Sequence, residues 1–353
     1  MKKERNVNID YIKTLGIIAT ILIHITCLAS RSEITSITWK ILIAVGSILR
    51  YCVPIFCMST GYLMYGRDKM DMRYVFKKYI LKFFIILICV EIVYRFTDYL
   101  YATYYYNKPF DLVWNIKNIL LGNTRTHLYY LWIMILIYTL YPILKLIMDK
   151  EEGELEYLIG AWLVLSVIPV FIYGLTDKTM IIPRKQFIFG SYYNFPMFVL
   201  LGAYLNKYQD KFKGMKFFPN MLIIFSASVL TIYTYLRSEW AGSGDFYYWN
   251  SVNLMTFGLS VGIFVKGLNT DIENKLVKGF VIVVSKNTLI IYLFHIIFTD
   301  IFLKFGYSFN YMNGYYKIIS YVGEFIFVFI SSLIIGIIYH SIKKKILKII
   351  GGI

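Results

Sequence analysis

Stretches of roughly 20 mostly apolar residues recur ten times along the chain, centred near Ala19, Val53, Ile88, Leu136, Leu165, Val199, Leu230, Leu259, Leu289 and Val328. A helix of about that length crosses the hydrocarbon core of a bilayer. In lipid every backbone polar group must be satisfied within its own segment or a closed barrel. The runs are continuous rather than alternating, so they read as helices and not as barrel strands. The expectation is an all-α polytopic membrane helix bundle of about ten transmembrane helices, forming a single domain over residues 1–353. Composition agrees: 58% of residues are hydrophobic and 16% charged, against about 25% charged in soluble domains. Aromatic residues make up 19%, which excludes a disordered chain. The first apolar run is too long for a cleavable signal peptide. Cys27, Cys52, Cys57 and Cys89 all lie in apolar runs, with neither metal-type spacing nor a disulfide framework.

The net charge of +16 reads as a topology signal. With the N-terminus placed inside, the inner segments hold 22 of the 37 Lys and Arg residues, and the outer segments hold half as many. Positive charge accumulates on the cytoplasmic side of membrane proteins, so both termini are expected in the cytoplasm. No nucleic-acid partner is implied; membrane lipid is the immediate surrounding.

Ionisable residues inside lipid cost several kcal/mol unless sheltered, and each is a functional candidate. In the first run Lys13, Thr20, His24 and Cys27 fall within about 60° of one another on a helix, and Lys13 and His24 lie about 16 Å apart along its axis. Lys13 belongs near the cytoplasmic mouth and His24 near the midplane. A neutral imidazole moves protons near neutral pH, and a cation below it suits an anionic substrate. The competing reading leaves His24 bonded to a neighbouring helix and Lys13 reaching to lipid phosphates.

Other polar positions repeat the theme. Glu91, Arg95 and Asp98 share one helix face and can neutralise each other, a structural or gating role. Thr288, Tyr292, His295 and Thr299 form a second stripe, with His295 either positioning a substrate or satisfied in the core. Glu324 is expected to pair with Lys286 or to orient a histidine. His340 reads as interfacial. His127, Tyr101, Tyr104, Tyr105, Tyr106, Tyr247, Tyr248 and Trp249 read as an aromatic belt at the membrane surface. Ser59-Thr60-Gly61 favours close helix packing, although Ser59, Tyr62 or the Gly61 N–H are candidate oxyanion donors.

The Lys13-x10-His24 spacing resembles the Arg-x10-His signature of the acyltransferase-3 superfamily. Further segments resemble that family in order: Val53 to Leu63, His127 to Pro142, Leu201-Gly202-Ala203, and Ser285 to His295 with its Tyr292-Leu-Phe-His295 end. Lys13 stands where the family has Arg, and Thr60 is inserted before Gly61. Within the family the chain is similar to compact O-acetyltransferases of surface glycans and to the membrane domain of vancomycin-resistance serine racemases. The resemblance implies a multi-pass enzyme of a bacterial plasma membrane. It would transfer an acyl group, usually acetyl, from cytoplasmic acyl-coenzyme A to a hydroxyl of an extracytoplasmic glycan or cell-envelope acceptor. His24 would act as general base or acyl carrier, and no metal is implied. Lys13, with Arg73, Lys77, Lys78 and Lys82, would meet the donor's phosphates; an ordinary positive-inside loop is the competing reading of that cluster. A transporter of a small substrate such as an amino acid is the second reading, motivated by Glu91, Arg95 and Lys286. Transporters tend to show internal repeats, and none is visible.

Overall fold

A computed structural model describes residues 5–29, 34, 36–105, 109, 111–120, 125–150, 153–176, 194–308 and 315–350. Among them all regular elements are helical. The principal helices are α1 (Val7–Ala29), α2 (Ile37–Ile48), α3 (Cys52–Tyr65), α4 (Leu81–Leu100), α5 (Leu112–Leu120), α6 (Tyr129–Thr139) and α7 (Tyr141–Met148), followed by α8 (Glu154–Trp162), α9 (Ile168–Thr176), α10 (Phe195–Lys207), α11 (Phe217–Ala241), α12 (Leu254–Leu268), α13 (Lys275–Lys304) and α14 (Tyr315–Ile350). Residues 177–190, an outer segment in the sequence reading, and Tyr106 of the proposed belt lie outside the described residues.

All ten apolar runs fall on helices; among the described residues six are both long and apolar enough to cross a bilayer, 7–27, 37–65, 154–175, 217–241, 275–304 and 316–346, and the bent pair α6–α7 would make a seventh. The other four depart for separate reasons. α4 has the length, yet its second half carries Glu91, Arg95 and Asp98. α6 and α7 are bent by 63° at Leu140, where Pro142 occupies the first turn of α7 and its ring forbids a continuous helix. α10 and α12 have 13 and 15 residues, or about 20 and 22 Å of axis against a core of about 30 Å.

The chain divides into two compact units, one formed by Met1–Leu63 with Glu151–Ile353 and the other by Met64–Lys150. In the first, α1 packs against α13, α12, α14 and α2. Ile12, Ile17, Ala19, Ile21 and Ile25 are all fully buried, so this helix is apolar on nearly every side because nearly every side is covered. Small residues set how closely its neighbours approach. A Cβ on Gly61 would stand 1.8 Å from the Val199 carbonyl oxygen, and one on Gly202 would stand 1.9 Å from that of Met58. α3 and α10 therefore meet backbone to backbone, which is the packing role expected of the Ser-Thr-Gly step.

In the second unit α4 packs on α5 and α6. Tyr79, in the turn leading into α4, stacks on Tyr138 with ring centroids 4.1 Å apart and planes 9° from parallel. Arg67, Lys69, Arg73, Lys77, Lys78 and Lys82 are all exposed at the start of α4 and in the turn before it.

Candidate active site

The site is built where α1 meets α13. The two polar stripes are on facing helices, and their imidazoles come together: the ring centroids of His24 and His295 are 5.0 Å apart, with planes inclined at 50°. His295 is fully buried, whereas His24 retains partial exposure. The Nδ1 of His295 lies 2.7 Å from the carbonyl oxygen of Tyr292. A ring nitrogen that close to a carbonyl must carry the hydrogen, so in the neutral ring Nε2 holds the lone pair. Thr299 donates to the His295 carbonyl at 3.0 Å, and the Tyr292 ring lies 6.0 Å from the imidazole. One imidazole is thus buried and fixed in tautomer, and its neighbour is reachable.

Toward the start of α1 a second cluster joins the same two helices. The Ser285 hydroxyl donates to Asp10 at 2.6 Å, and Lys13 Nζ lies 3.5 Å from the Ser285 carbonyl. Arg5 also pairs with Asp10. Asp10 was not singled out by sequence reasoning, yet it is buried and lies one turn before Lys13. An acidic residue that near a cation on a mostly apolar helix is the signal that could have found it.

On the other side of His24, Arg50 emerges from the turn between α2 and α3. Its guanidinium donates to the Cys27 sulfur at 3.6 Å and to the Gly46 carbonyl at 3.1 Å, and it stacks over Trp249 at 3.9 Å. The Trp249 indole N–H in turn donates to Ser47 at 3.2 Å. Trp249 is buried, a packing role rather than a surface belt. Thr26 shares a hydrogen bond of 2.9 Å with the Tyr321 hydroxyl of α14, so α14 also closes on this part of α1.

Ser59 and Tyr62 lie apart from the histidine pair. Gly16 packs against Ile55 and Phe56, and the successive spans of α1 and α3 run in opposite directions. Ser59 is therefore on the Lys13 side of Gly16, about 16 Å along the axis from His24. The Tyr62 hydroxyl donates to Gln209 at 3.2 Å. Glu324 accepts from Ser308 at 3.2 Å and makes no ion pair with Lys286 among the described residues. The Lys286 carbonyl instead meets His340 Nε2 at 3.3 Å. Glu91, Arg95 and the basic residues Arg73, Lys77, Lys78 and Lys82 belong to the second unit.

A family model described as an acyltransferase domain, the acyltransferase-3 model, matches residues 6–341. The chain belongs to the acyltransferase-3 family. Searches of curated proteins and of solved structures returned no significant match. The chain is thus a membrane acyltransferase, and its matched region takes in both compact units as well as both histidines. What an acyltransferase needs is a group that accepts a proton or an acyl chain at a defined point. The α1–α13 pair of imidazoles is an arrangement of that kind.

Proposed function

We propose that this acyltransferase moves an acyl group, acetyl in the first instance, from cytoplasmic acyl-coenzyme A to a hydroxyl of an extracytoplasmic glycan or cell-envelope acceptor. The observation that carries the reading is the His24–His295 pair, 5.0 Å apart between two packed helices. His24, the partly exposed member, meets the reacting atoms. As general base it takes the proton of the acceptor hydroxyl while the hydroxyl oxygen attacks the thioester carbonyl; the C–S bond then breaks and the leaving thiolate is protonated. As acyl carrier it would itself attack the thioester, the C–S bond breaking to release coenzyme A thiolate, and the acceptor hydroxyl would then displace the imidazole from the acyl carbon in a second step. The lone pair on His295 Nε2 supports the carrier route, because a second imidazole is at hand to take the acceptor's proton. Arg50, held one turn beyond His24 by Cys27 and Trp249, supplies positive charge toward the developing oxyanion.

The donor's phosphates call for cations. Lys13, on the His24 stripe, is one. The exposed Arg73, Lys77, Lys78 and Lys82 of the second unit offer a strongly basic surface of the kind that suits a polyanion.

The test is His24→Ala in purified, reconstituted protein, assayed with acetyl-coenzyme A and acceptor glycan. Transfer should fall by at least about 10²-fold, within the range for loss of a proton-transferring group, while size-exclusion behaviour is unchanged. A variant with undiminished transfer would remove His24 from the chemistry.

A further inference from the structure

A polar cleft in the second unit is not used by the chemistry above. It is open, with a volume of about 540 Å³, and Arg95, Asp98, Asp111, Trp114, Asn115 and Arg125 line it. Its wall is a connected network. Arg125 pairs with Asp98, and the Arg125 backbone N–H donates to Glu91 Oε1 at 2.5 Å. Glu91 Oε2 lies 3.6 Å from Arg95 Nε. Arg95 Nη1 donates to Asn115 Oδ1 at 3.3 Å and stands 4.0 Å from Asp98 Oδ2. Asp111 caps α5 through a 2.8 Å bond from the Trp114 N–H.

Three properties of this network point to a ligand. First, it is only partly closed: the Asp98 and Arg125 side chains each keep 31% of their surface exposed, so pre-oriented donors and acceptors face the opening. Guanidinium and carboxylate groups have more hydrogen-bonding positions than one partner fills. Second, Trp114 is exposed at the rim with the Arg95 guanidinium 5.8 Å from its ring centroid, which leaves a large aromatic surface beside the polar wall. Third, the charge is wrong for an anion. Among the lining groups Asp98 and Asp111 balance Arg95 and Arg125, and the buried Glu91 behind them adds a negative charge, whereas the opposite end of α4 carries the exposed basic cluster. A phosphate or polyanion belongs at that end and not at this one.

We infer that this cleft binds a neutral sugar ring of the glycan acceptor. Each sugar hydroxyl both donates and accepts, matching alternating guanidinium, carboxamide and carboxylate groups held a few ångströms apart. The apolar C–H face of the ring matches an exposed indole, which pairs an apolar surface with a polar handle. Asp98 is sixteen residues beyond Lys82 on one helix, about 24 Å along the axis. With the basic end cytoplasmic, the cleft opens on the outer side, where the acceptor is supplied. The assignment therefore rests on the glycan reading above and gives it a substrate class: uncharged hexose-type residues, either in a free oligosaccharide or in a glycolipid headgroup.

Binding is to be measured without acyl donor, so a failure of acyl transfer leaves the result interpretable. Full-length protein in nanodiscs is titrated with soluble neutral tetrasaccharides built from glucose, galactose, mannose or N-acetylglucosamine, and in parallel with glycolipids bearing the same headgroups. At least one member should bind, and Trp114→Ala should weaken it at least tenfold, as should Asp98→Asn. Val113→Ala, a change at an exposed neighbour, should leave binding as it is. Binding only in the lipid arm, or only in the soluble arm, supports the assignment and tells which source is used. Absence of binding in both arms at millimolar ligand would overturn it. So would tighter binding of a sialylated or phosphorylated glycan, or full binding in Trp114→Ala with only membrane affinity changed. The last result would make Trp114 an interfacial anchor.

Discussion

The imidazole pair shows what one residue can and cannot reveal in a sequence. Helical spacing places Lys13 and His24 on one stripe and Tyr292 and His295 on another. What spacing cannot supply is that the stripes face each other, because 271 positions separate the two histidines and only tertiary packing of α1 on α13 brings their rings to 5.0 Å. Asp10 illustrates the reverse: adjacent in sequence to the stripe, it becomes meaningful only once Ser285 is seen donating to it. The role of His295 yields a separable prediction. His295→Ala should lower kcat by about 10²-fold or more and leave the KM for the proposed acyl-coenzyme A donor within a few-fold, since the phosphates of such a donor would be held by cations and not by this buried ring. His295→Asn, which retains a polar atom near the Tyr292 carbonyl, should restore folding stability but not kcat. Recovery of turnover in that variant would make His295 a packing residue.

At the scale of elements, small residues decide how helices meet. Ser59-Thr60-Gly61 and Leu201-Gly202-Ala203 are modest signals separately. In the fold they are two sides of one contact in which α3 and α10 have no room for a Cβ. A substitution here cannot be relieved by rotating a flexible side chain, because the obstructing atoms are backbone carbonyls. Gly202→Val should therefore prevent α3–α10 docking and remove folded protein from detergent extracts, as followed by fluorescence-detected size exclusion. Gly160 in α8 has nothing within 4 Å of where its Cβ would stand. Gly160→Ala should be neutral or stabilising by up to about 1 kcal/mol, because alanine loses less backbone entropy in a helix. Equal behaviour of the two variants would show that the close approach does not limit the fold. The bend between α6 and α7 was also written in the sequence, as Pro142, but the hydropathy of the surrounding run hides it. Apolarity averages over a window, while a single pyrrolidine ring acts at one position.

For the whole molecule, fold class is set by coarse quantities, and those are the most legible. Ten apolar runs are enough to specify an all-helical membrane protein; among the described residues six helices are both long and apolar enough to cross, and short helices such as α10 and α12 are apolar without being long. The orientation reading assigns loops to the two sides by alternating crossings, so it calls for a direct test. α11 offers a direct check. Its 25 residues extend about 37 Å, long enough to cross the bilayer once, and its two flanks differ in charge: Lys207, Lys211, Lys213 and Lys216 lead in, whereas Arg237 near its end is neutralised by Asp245 at 3.0 Å. Lys213 and Ser243 are both exposed and stand at opposite ends of this one helix. In a protein with its four native cysteines replaced, Ser243→Cys should react with a membrane-impermeant maleimide on intact cells, and Lys213→Cys only after permeabilisation. The same result places the start of α1, with Lys13 and Asp10, on the side where an acyl-coenzyme A is made. The opposite labelling pattern would invert the orientation, leaving the basic cluster outside and the proposed donor without a route to His24.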